Sequence, residues 1–150
     1  MEIQLITFAE IYEIWNNELW PGRESPIKEM SSMTFMGDYD MSVYERYRGT
    51  FWGVFIDDKL VGVNSGHPVS DTMYRSRGLW VHPEYRGRGI AKVLLRALSD
   101  FARVCEFEYV FTVPRKGSEH AYLTEDYKLV GDWFDHGMEF GPNIWAIKKL

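Results

Sequence analysis

The chain's 150 residues, at 17.6 kDa, are enough to bury one real core and too few for two comfortable domains, so residues 1–150 are expected to form one domain rather than a two-domain enzyme. Hydrophobic residues at 45%, with six Trp, nine Tyr and nine Phe, exceed what a disordered segment carries, and a net charge of −5 argues against a general nucleic-acid binder, which needs surplus Lys and Arg to neutralise phosphates. No apolar run approaches the roughly 20 residues of a membrane span, the first 22 residues hold no Lys or Arg as a basic leader would, and a single Cys105 with four scattered His suits neither an internal disulfide nor a zinc site; the expectation is a cytoplasmic protein with no metal.

In chain order, residues 2–6 read as a short strand. A helix follows that Thr7 can cap, with Glu10 completing a capping box and Ile11, Ile14, Trp15 and Leu19 as its apolar stripe. Ser25 before Pro26, and Asp40 before Val43, Tyr44 and Tyr47, are two further helix-start signals. From Thr50 to Pro68 the pattern is strand, turn at residues 57–59, and strand, a β-hairpin, and residues 74–82 form another strand.

After Pro83 the period changes. Ile90, Leu94, Ala97, Leu98 and Phe101 recur at three and four residues, while Lys92, Arg96, Asp100 and Arg103 take the opposite, solvated side of an amphipathic helix. Residues 107–113 return to a strand, 118–126 read as helical, and 129–134 and 144–149 close the chain as strands. Cys105, at an apolar helix end, is expected in the core. The order describes a mixed α/β domain built around a strand, glycine loop, helix, strand unit.

Charge is uneven along the chain. Residues 74–103 carry seven basic side chains against Glu84 and Asp100, a local +5 that leaves −10 for the remainder. Such an island suits a small polyanion. Within it, Arg86-Gly87-Arg88-Gly89-Ile90-Ala91 sits between a strand and a helix start, where unpaired backbone N–H groups and the helix dipole converge on a point that can cradle phosphate oxygens. A turn with no ligand would also use these glycines. Two other phosphate loops are excluded: no Gly-Lys-Ser/Thr is present, and Lys92 stands where the dinucleotide fingerprint needs glycine.

The run from Leu79 to Ala91 resembles the acetyl-CoA signature of the GNAT superfamily of N-acetyltransferases, Arg/Gln-x-x-Gly-x-Gly/Ala, with Arg86, Gly89 and Ala91 in its places. Tyr122 to Gly131 is similar to the family's second motif, Tyr-x-x-x-Gly-Phe-x-x-x-Gly, with Tyr127 in the Phe place. Asp126 departs from it, standing where the family has glycine, and Arg115 and Ser118 depart from the usual Asn and Ala upstream. The resemblance covers residues 50–134 well and the first fifty only in element order. It implies an α+β, three-layer fold with a mostly antiparallel, twisted sheet of about seven strands flanked by helices.

The resemblance further implies acetyl-CoA as co-substrate and a primary amine as acceptor. Backbone groups of Val81 would hold the pantetheine arm; the N–H at Leu79 would face the thioester oxygen, where attack builds negative charge. Arg86, Gly87, Arg88, Gly89, Ile90, Ala91 and Lys92 would form the pyrophosphate loop, and Tyr122, a phenol of ordinary pKa near 10, would protonate the leaving thiolate. The family's base positions hold Arg75 and Arg77, which cannot accept a proton; His67, Asp71 and Glu45 are the other candidates, with His67 beside Pro68 reading as an ordinary strand-end histidine. Arg75 and Arg77 share a strand face with each other, and with Leu79 and Val81 unless a bulge intervenes, so an acceptor carrying an anionic group is expected. The remaining alternatives are a non-catalytic CoA-binding regulatory module and an acyltransferase acting on a nucleotide or nucleobase amine. A homodimer is compatible with the resemblance; duplex nucleic acid and membrane partners are not expected.

Overall fold

A computed structural model of the chain describes residues 1–24, 26–29, 48–135 and 140–150. The helix-start signals at Ser25 and at Asp40 to Tyr47, and the candidate base Glu45, lie outside these residues.

Strand β1 (Glu2–Leu5) leads into α1 (Phe8–Ile14), which begins as expected: the Thr7 side chain accepts from the Glu10 amide at 3.2 Å while the Glu10 carboxylate accepts from the Thr7 amide at 3.0 Å. The α-helix is shorter than its apolar stripe. At Trp15–Leu19 the helix widens into a π turn, closed by the Trp20 amide donating to the Trp15 carbonyl at 2.7 Å. Strands β2 (Thr50–Ile56) and β3 (Lys59–Pro68) form the hairpin, with Asp57 and Asp58 both at positive φ in its turn. β4 (Met73–Val81), α2 (Ile90–Val104), β5 (Tyr109–Thr112), α3 (Glu119–Leu123), β6 (Lys128–Phe134) and β7 (Asn143–Lys149) complete the order.

The seven strands form one sheet in the order β1-β2-β3-β4-β5-β7-β6, and every neighbouring pair is antiparallel except β4 with β5. Helix α1 and its π turn cover one face, where Ile11, Trp15 and Trp20 pack on Phe51, Val63 and Trp80. Helices α2 and α3 cover the other, where Leu95, Leu98 and Tyr122 pack on Tyr74, Val110 and Ala146, and Ile90 and Leu94 on Val54 and Val61. This is the three-layer, mostly antiparallel α+β architecture that the motifs imply.

Two local features shape the middle of the sheet. β4 pairs with β5 only over Met73–Arg75, opposite Tyr109–Phe111, so from Ser76 onward the strands part. The register of β4 against β3 also shifts between Val63 and Ser65, opposite Gly78, which has φ +78°. A glycine inside a strand supplies that conformation without steric cost.

The bulge corrects one expectation. Tyr74 and Ser76 face α2, with the Tyr74 ring against Phe101 and Ser76 bonded to Asn64, while Arg75 and Arg77 face α1, over Phe111 and Trp20. Beyond Gly78 the parity changes: Trp80 packs on the α1 side and Leu79 and Val81 on the α2 side. The two arginines therefore share a face, but not with the side chains of Leu79 and Val81. Cys105 is a second correction. It is exposed at the C-cap of α2, because the last buried position of that helix is Ala102 and the chain turns away through Glu106 at φ +66°.

Candidate active site

The parting of β4 and β5 leaves a gap in the sheet. At its β4 side, the His82 amide donates to the Val61 carbonyl at 2.8 Å, and Val81 is paired with Gly62. Antiparallel alternation then turns Val81's own N–H and C=O away from β3 and toward the gap. Its carbonyl accepts there from Arg86 Nε at 3.0 Å, so Arg86 holds the strand end rather than projecting freely into solvent.

The loop after β4 is built on left-handed residues. Pro83–Tyr85 makes one 3₁₀ turn whose first amides are met by His82, with Nδ1 accepting from Glu84 N at 3.2 Å. Gly87 and Gly89 follow at φ +78° and +80°, and Gly89 is the N-cap of α2 with no side-chain cap. A Cβ built at either glycine meets nothing within 4 Å. No side chain caps the first amides of α2, and the two glycines leave room for a phosphate to approach them. Ile90 is in the core and can contribute only its backbone, Ala91 is half-buried, and Lys92 and Arg88 are exposed, with Arg88 stacked over Tyr85 at 5.0 Å.

Tyr122 of α3 is buried against the edge of Tyr127, with ring centroids 5.3 Å apart. Burial pushes its phenol up to about 12, while a hydrogen bond with the Thr112 side chain and the charge of Arg115 pull the other way. The expected ordinary value near 10 is therefore corrected upward, because the phenol is buried. Thr112 is the last residue of β5, so the hydroxyl is held where that strand has left β4. Asp126, the departure from the second motif, adopts φ +67°. The aspartate takes the left-handed conformation that glycine adopts freely, which is why the turn after α3 survives the change.

On the α1 face, Arg75 is 4% exposed and burial pushes its guanidinium down to about 10. Arg77 lies over Trp20 at 5.3 Å, and Arg75 over Phe111 at 5.8 Å. Arg75 is the cross-strand partner of His67, which stands at the end of β3 as expected but is fully buried, and burial followed by the charges of Arg75 and Arg77 holds it well below the ordinary imidazole range. Asp71 is exposed in the β3–β4 turn. Ser65 donates its hydroxyl to the Arg77 carbonyl at 2.7 Å.

Three residues here escaped the motif reading. Trp15 was only one of a helical stripe, yet its Nε1 donates to Gly78 O at 3.0 Å and seats α1 on the bulge. Arg115 donates from Nη2 to Leu19 O at 3.1 Å and lies over Phe140 at 5.2 Å, tying the π turn to the segment after β5. Thr112 orients Tyr122. Of these, Arg115 carried a local signal, as a departure from the second motif, and Trp15's partner Gly78 another, as a glycine in a strand interior.

The Acetyltransferase (GNAT) family model matches residues 8–124 of this chain. The chain belongs to the GNAT acetyltransferase family. Human N-acetyltransferase 8 is 33% identical over 93 residues, 57% of this chain and 41% of that protein, and mouse N-acetyltransferase 8B is 28% identical over 109 residues, 67% of this chain and 47% of that protein. The chain spans less than half the length of these curated relatives. Among solved structures, a Streptococcus agalactiae acetyltransferase superposes with a TM-score of 0.67 at 16% identity, covering 99% of this chain and 98% of the other. A GNAT family acetyltransferase from Elizabethkingia anophelis with acetyl-CoA bound superposes with a TM-score of 0.62 at 12% identity, covering 99% and 97%. At such identities the likeness establishes the GNAT fold. No helix among the described residues is long and apolar enough to cross a membrane.

Proposed function

We propose that residues 1–150 act as one N-acetyltransferase domain that transfers an acetyl or short acyl group from acetyl-CoA to a primary amine, by direct attack with both substrates bound. The observation that carries this reading is the β4 edge left open beyond Arg75, which ends in a glycine loop at the start of α2, with the buried phenol of Tyr122 held at the end of β5. The residues fit the co-substrate: a Cβ at Gly87 or Gly89 would meet nothing within 4 Å, so a ligand can approach the backbone there, and Val81 turns a backbone amide to the gap.

When bound, acetyl-CoA supplies a carbonyl carbon activated by its sulfur. The amides at Gly87, Gly89, Ile90 and Ala91 hold the pyrophosphate, with Arg86, Arg88 and Lys92 supplying positive charge. Val81 aligns the pantetheine arm as an added strand would. The bulge at Gly78 re-aims the next amide, that of Leu79, toward the thioester oxygen, where a fixed donor stabilises developing charge. Tyr122 stays protonated at neutral pH and donates to the departing sulfur. Arg75 and Arg77, on the α1 face, hold an anionic group of the acceptor, in keeping with two guanidiniums packed among aromatic rings.

The test is acetyl-CoA-dependent thiol release with a panel of amines that includes amino acids, amino sugar phosphates, spermidine and arylamines. Release with an anionic amine supports the reading. Tight acetyl-CoA binding with no release for any amine would favour a CoA-binding regulatory module, the reading that arginines in the base positions suggest.

A further inference from the structure

Two consecutive carbonyls of the β4 bulge are taken by buried side chains. The Ser65 hydroxyl donates to the Arg77 carbonyl at 2.7 Å, and Trp15 Nε1 donates to the Gly78 carbonyl at 3.0 Å. Both donors are fully buried, Ser65 on β3 and Trp15 at the start of the π turn. They are not equivalent. A hydroxyl rotates and can also accept, whereas an indole has one N–H, fixed in the plane of its ring, and no acceptor. The Trp15 ring is itself held, packed against Trp20 and Phe51 with centroids 5.0 and 6.2 Å away. Its N–H therefore specifies where the Gly78 carbonyl points.

That carbonyl shares a peptide unit with the N–H of Leu79. The unit is planar and trans, so its carbonyl and N–H point in opposite directions, and a bond that fixes one fixes the other. It lies beyond Arg75, in the part of β4 from which β5 has parted. With the carbonyl turned to the indole, the Leu79 N–H points away from the indole and its layer, and Tyr122 is packed on the other side of the sheet. A hydrogen bond accepted at the carbonyl also polarises the peptide and makes its N–H a stronger donor.

A glycine is where such a unit can turn over. Rotation about the bonds on either side of a peptide flips it with little movement of the rest of the chain, and Gly78, without a Cβ and at φ +78°, puts up few steric barriers on its side. Flipped, the unit presents a carbonyl oxygen where a donor is needed, and that oxygen repels the negative charge that attack builds on a thioester oxygen. The flip also strands the buried indole N–H without its acceptor, which is costly away from water. The Trp15 bond therefore favours one orientation of the unit.

We propose that Trp15 is a positioning residue for the reaction: it locks the Gly78–Leu79 peptide with the Leu79 N–H aimed at the thioester oxygen, and so preorganises the donor that stabilises the charge developing there. This rests on the acetyl-transfer reading above. Trp15 acts through the backbone of β4, which gives the α1 layer a part in the chemistry as well as in the packing.

The experiment reads the thioester oxygen directly, by isotope-edited infrared spectroscopy of carbonyl-¹³C acetyl-CoA bound to the whole chain with no amine present. A hydrogen bond to that oxygen lowers the carbonyl stretching frequency. In the wild type the bound frequency should lie below that of free acetyl-CoA. In Trp15→Phe it should return toward the free value with acetyl-CoA affinity unchanged, and in Tyr122→Phe, which removes a donor assigned to sulfur, it should stay low. In turnover, Trp15→Phe should lower kcat about tenfold or more with little change in KM for acetyl-CoA, a loss approaching the roughly 10²–10³-fold of deleting a donor outright. Benzothienylalanine in place of Trp15 keeps the ring shape and puts sulfur where the N–H was; it should give the same two losses even where Trp15→Phe folds poorly. A low bound frequency that both Trp15 replacements retain overturns the proposal, as does one that is lost in Tyr122→Phe, which would make the phenol the donor. A wild type that acetylates an amine while its bound carbonyl stays at the free frequency removes the Leu79 donor and this proposal, and leaves the transfer reading standing. A wild type that binds acetyl-CoA and acetylates no amine overturns the transfer reading and this proposal with it.

Discussion

The indole of Trp15 is seated on Gly78: its Nε1 donates to the Gly78 carbonyl at 3.0 Å, and its ring atoms occupy the space 2.5 Å from where a Gly78 Cβ would be. One contact joins the helical layer to the bulge that reverses the parity of β4. Because Gly78 also has φ +78°, no other residue meets both demands. Gly78→Ala is expected to lose about 3 kcal/mol or more from strain and clash together, lowering Tm by roughly 6–12 °C. Thermal unfolding checks this; Trp15→Phe, which removes the donor and keeps a ring, should cost less.

Gly89→Val should weaken acetyl-CoA binding by more than about tenfold with the fold intact by circular dichroism, since a β-branched side chain at φ +80° obstructs the amides of the α2 N-terminus. Gly89→Asn separates the two causes. Asparagine tolerates that backbone, so a loss shared by both variants comes from the added side chain and not from strain. Unchanged affinity in calorimetry for both would remove the loop from the site.

Tyr122→Phe deletes a hydroxyl that burial holds up to about 12 and leaves the ring packing on Tyr127 in place. Turnover should fall about 10²-fold with little change in the Kd for acetyl-CoA. A near-normal kcat with a good acceptor would mean that the sulfur is protonated by another group.

Arg77→Ala should raise KM for an anionic amine by about tenfold, the loss of one charge-assisted hydrogen bond worth roughly 1.5–3 kcal/mol, and leave acetyl-CoA affinity alone. Spermidine or an uncharged arylamine outperforming every anionic amine, with the variant acetylating it as well as wild type, would reverse this assignment of the α1 face.

Folding stability should fall in acid through His67. Its folded pKa lies well below the ordinary imidazole value of about 6.5. Below that value the unfolded chain binds a proton that the folded chain refuses. Stability from this group is therefore complete above about pH 6.5 and declines by about 1.4 kcal/mol per pH unit down to the folded pKa. Urea midpoints measured on both sides of this window should converge toward those of His67→Gln as the pH falls.

Much of this protein is written locally. The capping box at Thr7 and Glu10, the hairpin around Asp57 and Asp58, the three- and four-residue period of α2 and the glycine pair before it are each set by neighbours in sequence, and each is found where the pattern puts it. The motif containing Arg86, Gly89 and Ala91 carried the family as well, because backbone amides at a helix start impose their spacing on the chain. The tertiary structure decided which way those residues face. Side-chain alternation puts Arg75 and Arg77 on the face of Leu79 unless a bulge intervenes, and it cannot reveal the bulge at Gly78 that separates them. Cys105 looked apolar in sequence and is exposed, since helix periodicity does not say at which turn the core ends. His67 is at the end of β3, as its place beside Pro68 suggests, but its burial comes from layers contributed by residues distant in sequence, and that burial, with the charges of Arg75 and Arg77, holds it well below the ordinary imidazole range. Burial and electrostatics are sums over contacts between distant segments, and those contacts exist only once the sheet is assembled.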